Sequence, residues 1–228
     1  MMRSAVLGLL VVALGATTSE LDSQYVLQRY ALQMAEMPVP KVVVFEYTVS
    51  QAGLGNFEQR HVLYRSGLDV RDETIAVDGT TLREKRVRFE QRPDRYAIDR
   101  IAPRVDAYQL LFLHAVRDGS HYDYVYEATP LVKQGGTWVD RVTIDGTTFL
   151  PRTVQFQTAG GTAHGSGTIA YAPAGKYWMP VAASVEAIVD GKPARERITW
   201  SDYRFPPSLP PSTFTPPHPL PLATLPPI

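Results

Sequence analysis

The sequence predicts an α+β fold that is mainly β, a large antiparallel sheet or barrel with an amphipathic helix packed on it. Three observations lead there. About ten short runs rich in β-branched and aromatic residues follow one another, with turn signals roughly every 8 to 12 residues. One amphipathic segment precedes the first run. A longer apolar segment, residues 101 to 120, interrupts the series and reads as a second helix.

The first helix is SELDSQYVLQRYALQMAEMP, residues 19 to 38. Ser19 is its expected cap, with Asp22 three residues on. Leu27, Tyr30, Ala31, Met34 and Met37 recur at helical spacing and form one apolar stripe, which needs a partner such as a sheet. Pro38 and Pro40 stop the helix, because proline fixes φ and restricts the residue before it. KVVVFEYTVS then begins the strands, and its alternation puts Val43, Phe45, Tyr47 and Val49 on one face.

The later strand runs are FEQRHVLYR, LDVRDETIAV, LREKRVRFE, YDYVYEA, TWVDRVTI, FLPRTVQFQ, GTIAYA, PVAASVEAIV and ARERITWSDYRF. Two of the joints nearly repeat each other, IAVDGTTL at 75 to 82 and VTIDGTTF at 142 to 149. Asp-Gly is favoured where a tight hairpin needs positive φ, so both are read as turns, as is Asp190-Gly191. A duplicated unit is not supported, since the flanks LREKRVRFEQRPDR and FLPRTVQFQTAGG share little beyond an arginine and alternation. A calcium loop needs further acidic oxygens where threonines stand, and no GxxxxGK[ST] segment exists for phosphate.

Within IAPRVDAYQLLFLHAVRDGS, Pro103 can start a helix and Asp118-Gly119 can end it. Val105, Tyr108, Leu111, Phe112 and Ala115 fall at helical spacing, and Leu110 and Leu113 widen the apolar face. Such a helix is either buried on most sides or covers a cavity, and the residues leave both open.

Both ends of the chain differ from its middle. MMRSAVLGLLVVALGA sets one arginine before an apolar run that ends in small residues, the pattern of a secretory signal cleaved near Ala16. The run is shorter than the about 20 residues that span a bilayer, so no stable membrane insertion is expected. With Cys 0 there is no disulfide, thiolate metal site or lipid-bearing cysteine. The expected product is a periplasmic or secreted protein. The tail, residues 206 to 228, is too rich in proline for sheet and reads as an extended strap, with Leu209, Phe214 and Leu220 as possible tethers. The expected organisation is thus a signal over 1–16, one domain over 17–205 and the tail.

Lys+Arg 23 balances Asp+Glu 23, which leaves no net field for nucleic acid or an anionic membrane. LREKRVRFEQR at 82 to 92 is the most basic stretch, but glutamates interrupt it and only Phe89 interleaves, so it reads as a solvated strand face. The histidines His61, His114, His121, His164 and His218 form no HxH or HExxH pair, and no metal site is expected. AHGSGT brings His164 near Ser166 but lacks the G-x-S-x-G elbow and reads as a glycine-rich turn. Carboxylate pairs for glycoside chemistry stay open, because the fold sets their separation. No cofactor and no enzyme activity are expected.

The order of these elements carries a resemblance. An exported chain with an amphipathic helix, strands, DGTTL after a strand and an apolar insert resembles the lipoprotein-carrier and outer-membrane lipoprotein-sorting (LolA/LolB-like) family. IDGTTFLPRTVQF, followed by GKYWMPVAASVEAIVDGKPARERITWSDYRF, resembles that family's closing strands. The resemblance covers about residues 20 to 214. It implies a half-open antiparallel barrel wrapped over the N-terminal helix and the helical insert, with an apolar cavity that holds acyl chains.

By the same analogy Arg65, in HVLYRSGLD, matches a polar contact that closes the lid, and Tyr108, Leu111 and Phe112 would be lid or cavity wall. Phe45 and Tyr47 complete the expected cavity set. LREKRVRFEQRPD lacks the family's aromatic phrase, and the proline tail is an addition. The leading expectation is a monomeric carrier or sensor of lipid or acylated lipoprotein. The alternative is a non-catalytic envelope domain with a filled core and a tail that contacts a protein partner. A hydrolase built on scattered carboxylates or on His164 and Ser166 stands third.

Overall fold

A computed structural model describes residues 20–91, 102–132 and 136–216. The signal segment, Ser19, His218 and Leu220 lie outside the described residues, so those expectations have no structural counterpart here. The helix α1 spans Ser23–Glu36. Its cap is Asp22, whose carboxylate accepts from the backbone N–H groups of Gln24 at 2.8 Å and Tyr25 at 3.0 Å. Asp22 thereby satisfies donors that the first helical turn leaves orphaned.

Among the described residues eleven strands follow in one antiparallel sheet. They are β1 (Val42–Ala52), β2 (Phe57–Ser66), β3 (Asp69–Val77), β4 (Thr80–Gln91), β5 (Tyr108–Asp118), β6 (His121–Pro130), β7 (Thr137–Asp145), β8 (Pro151–Thr158), β9 (Ala163–Ala174), β10 (Tyr177–Val189) and β11 (Lys192–Arg204). The chain runs from β1 outward to an edge at β4, crosses to the opposite edge at β5, and returns strand by strand until β11 pairs with β1. The sheet is curved and does not close, which is the expected half-barrel. Register shifts in β1/β11, β2/β3, β3/β4, β5/β6, β7/β8 and β9/β10 mark bulges, which bend strands and increase twist.

The expected second helix is a strand. YQLLFLHAVRD forms β5 and pairs with β6. The misleading signal has a physical source in the bulge between Phe112 and His114. Strand alternation turns Tyr108, Leu110 and Phe112 toward the core, and the extra residue shifts the next inward position to Ala115. Spacings of four and then three residues between Tyr108, Phe112 and Ala115 imitate a helix, although a bulged strand made them.

The two DGTT joints fold differently. Asp78 and Gly79 have φ 48° and 76°, and Asp190 and Gly191 have 49° and 75°, the paired positive values of a tight hairpin turn. At the second DGTT the carboxylate of Asp145 accepts from the N–H groups of Thr147 and Thr148, and the positive φ falls on Phe149. Gly146 is needed there for space, since a Cβ would lie 2.5 Å from the Tyr122 carbonyl oxygen and 2.7 Å from the Tyr124 ring. Gly146→Ala is expected to cost about 1 to 3 kcal/mol by overpacking, read as a lower urea midpoint; Gly79→Ala, with open space around it, should act through backbone strain alone.

The described part of the tail is held against the sheet. Phe205, the residue before it, packs on Tyr177 at 4.7 Å between ring centres, and within the tail the carbonyl of Thr213 accepts from Arg71 Nη1 on β3 at 3.2 Å. Leu209 and Phe214 are half-buried, consistent with tethering.

Candidate functional site

The sheet has one face that carries α1 and one that does not. Val26 and Tyr30 of α1 are fully buried against Tyr124, Tyr126 and Ala128 of β6, Val139, Val142 and Ile144 of β7, and Val154 of β8. Three tyrosine hydroxyls fix the helix at its edges. Tyr126 donates to the Ser23 carbonyl at 2.7 Å, Tyr124 accepts from the Leu21 N–H, and Tyr30 donates to the Pro103 carbonyl at 2.9 Å. Each buried phenol thus has a partner, which removes the cost of desolvating it.

The same face continues past the helix. Val154 is in register with Gly167, Gly167 with Val185, Val185 with Glu196, and Glu196 with Gln51. Alternation from Gln51 therefore keeps Val49, Tyr47 and Phe45 of β1 on one face, as expected, and that face is the helix-bearing one. Across the strands Val49 faces Ile198, Ile198 faces Ala183, and Ala183 faces Ile169, while Tyr47 faces Trp200. Val49, Ile198, Tyr47 and Trp200 are only half-buried and lie outside the cluster under α1. This row is an apolar floor beside the helix.

Beyond Tyr47 the floor becomes polar. His61 stacks on Tyr47 at 4.6 Å, and its Nδ1 lies 3.0 Å from Asp72 Oδ1. Tyr47 donates its hydroxyl to Asp72 Oδ2 at 2.7 Å, and Arg88 Nη2 approaches the same oxygen at 3.2 Å. Burial pushes the Asp72 carboxyl up, but the His61 and Tyr47 hydrogen bonds and the His61 and Arg88 charges outweigh it and hold it below the usual carboxylate range.

A depressed folded pKa contributes stability that is present above the unfolded value, about 3.9, and is lost as pH falls through the folded one. Asp72→Asn should therefore flatten the acid limb of a stability-versus-pH curve below about pH 4, measured by urea titration at several pH values. An unchanged acid limb would contradict that role.

The six expected cavity or lid residues divide by face. Phe45, Tyr47 and Arg65 share the helix-bearing face of β1 and β2, where Arg65 is opposite Val43. Phe45 is buried against Tyr203 at 5.3 Å, and Arg65 Nε donates to the Gly67 carbonyl at 3.0 Å. Tyr108 and Phe112 pack against the core cluster; Phe112 meets Tyr126 at 5.7 Å, and the Tyr108 hydroxyl accepts from the Val139 N–H. Leu111 points the other way, 60% exposed and opposite Glu127. A helix would have kept Leu111 beside Tyr108 and Phe112, and a strand separates them.

Ile198, Trp200 and Tyr203 were not singled out in the sequence, although the alternation in RITWSDYRF carries the signal for the first two. His61 and Asp72 had no such signal, because their meeting depends on the register of the β2–β3 hairpin.

Other candidate chemistry is dispersed. His164 and Ser166 stand two apart on β9, in a strand and not the expected turn, beside an open groove of about 670 Å³. No hydrogen bond joins them among the described residues. His114 is opposite Val125 and His121 opposite Asp118, four rungs apart. Asp118, His121 and Asp123 could together face a cation. Arg152 Nη1 already serves there, 2.6 Å from Asp118 Oδ2 and 2.7 Å from Asp123 Oδ2.

No family model matches the sequence, and no curated protein matches it. A solved LolA superfamily protein from Nitrosomonas europaea is similar in structure, with a TM-score of 0.52 and 12% identity over 86% of this chain and 99% of that one. The fold is LolA-like. A solved domain from Vibrio parahaemolyticus, described as an outer membrane lipoprotein-sorting protein, is similar over 85% of this chain and 97% of its own, with a TM-score of 0.51 and 15% identity. Among the described residues no helix is long and apolar enough to cross a membrane.

Proposed function

We propose that this is an exported, non-enzymatic carrier or sensor that holds the acyl chains of a lipid or lipoprotein against the helix-bearing face. The observation that carries this reading is the floor of Val49, Ile198, Tyr47 and Trp200, which extends the face past α1 and leaves apolar side chains half-buried. An acyl chain is a fitting occupant, since each methylene moved from water onto such a surface contributes about 0.8 kcal/mol. The Tyr47–His61–Asp72–Arg88 network at one end offers hydrogen-bonding groups for a polar head, and Arg65 lies on the same face.

The lipoprotein-sorting description of the Vibrio neighbour agrees with this class of ligand. The domain boundary at residue 205 and export through the N-terminal signal belong to the same proposal. A fluorescent polyene fatty acid tests it. Saturable enhancement on titration, reversed by oleate or a monoacyl phospholipid, is expected. No enhancement at micromolar protein would overturn it in favour of a filled sheet domain.

A further inference from the structure

The face of the sheet opposite α1 carries a second, chemically different groove of about 710 Å³. Thr143 is in register with Thr153, Thr153 with Thr168, Thr168 with Ser184, and Ser184 with Arg197. Strand pairing therefore lays a line of hydroxyls across neighbouring strands and ends it on a guanidinium. Thr168 Oγ1 and Ser184 Oγ are 2.7 Å apart, so each keeps further lone pairs or a donor for another partner. Arg197 is exposed and has no ion pair or hydrogen bond among the described residues. Beside this line, Ala170 faces Ala182, and their small side chains leave a low apolar strip bordered by Trp178.

The other end of the groove is a knot of charges. Arg152 bridges Asp118 and Asp123, and His121 Nε2 lies 3.5 Å from Asp145 Oδ2. Asp123 Oδ1 is buried and accepts no hydrogen bond among the described residues. A metal ion would compete with Arg152, which already supplies the positive charge. A phosphate would need a surplus of cations, whereas Asp123 and Asp145 balance Arg152 and Arg197 along the lining.

What remains is a ligand with many hydroxyls at its rim, one C–H-rich face and no net charge. We propose that this groove binds a neutral oligosaccharide, with sugar hydroxyls on the Thr168, Ser184 and Arg197 line and a ring face over Ala170, Ala182 and Trp178. The charges of the knot pair with one another and bound the groove at that end. Ligands of this kind use apolar contact and a few placed polar groups together.

Calorimetric titration of the full chain with maltotetraose, cellotetraose and chitotetraose tests the site, with sodium phosphate and zinc chloride as competing probes. Saturable binding of at least one tetrasaccharide is expected, weakened roughly 3- to 10-fold by Ser184→Val or Arg197→Ala, as the loss of one or two hydrogen bonds predicts. Phosphate and zinc should not displace it. The proposal is overturned by absence of binding at millimolar sugar, by binding unchanged in both variants, or by displacement with phosphate or zinc. Fatty-acid binding on the opposite face should be the same in wild type and both variants, so failure of one site is distinguishable from failure of the other.

Discussion

Replacing Tyr126 by alanine is expected to lower the unfolding free energy by about 3 to 5 kcal/mol, the range for removing a fully buried aromatic ring. Tyr126 is 1% exposed, packs edge-on against Phe112 and donates to the Ser23 carbonyl, so it belongs to the sheet, the edge strand and the helix at once. Burial pushes its phenol pKa far up, which keeps the hydroxyl a donor throughout the usable pH range. Tyr126→Phe separates the two contributions and should cost about 1 kcal/mol, the ordinary net worth of one hydrogen bond. Urea denaturation followed by far-ultraviolet circular dichroism reads both. A loss under 1 kcal/mol for the alanine variant would mean that α1 does not rest on β6 as described.

Val49→Asp is expected to reduce fatty-acid affinity at least 100-fold, about 2.7 kcal/mol. The site is half-buried when empty, so an aspartate there can keep part of its hydration and the protein should fold. An acyl chain laid over the same position would strip that hydration and leave an unpaired carboxylate against hydrocarbon, which costs several kcal/mol. Thr48→Asp is the control, because its neighbour in sequence points to the opposite face of β1. Equal effects of the two substitutions on polyene fatty-acid titration would mean that binding does not use the helix-bearing face. Ile198→Asp, across the strand pair from Val49, should behave like Val49→Asp.

Much of the fold was legible because its signals are local. Helix α1 announced itself through the stripe of Leu27, Tyr30, Met34 and Met37, all of which meet the core. The paired φ values at Asp78-Gly79 and Asp190-Gly191 follow from residue type alone. The second DGTT did not follow, since its geometry is set by the Asp145 side chain and by crowding from Tyr122 and Tyr124, neither visible in the motif. β5 was misread because a bulge at its centre spaces its inward residues like those of a helix. That error also displaced Leu111 from the face it was expected to share with Phe112.

The site was legible only by face. Alternation puts Val43, Phe45, Tyr47 and Val49 on one face of β1, and β1 shows no register shift against β2 to undo it. Strand neighbours were out of reach. The pairing of β1 with β11 brings together residues about 150 positions apart, and no short motif encodes that register. The Val49–Ile198 floor arises from that pairing, whereas the His61–Asp72 pair and the hydroxyl line from Thr143 to Ser184 arise from the registers of sequence-adjacent hairpins. The shared lesson of β5 and β11 is that bulges and ladder registers, more than propensity, decide which side chains meet.

Native mass spectrometry of the chain expressed with its own N-terminal segment in a bacterial envelope, followed by lipid extraction, tests the central claim most directly. Near-stoichiometric acyl species are expected on the wild type, absent from Val49→Asp and retained by Thr48→Asp. A wild-type chain that stays free of lipid after excess phospholipid is added would contradict it, and would mark the helix-bearing face as a filled core.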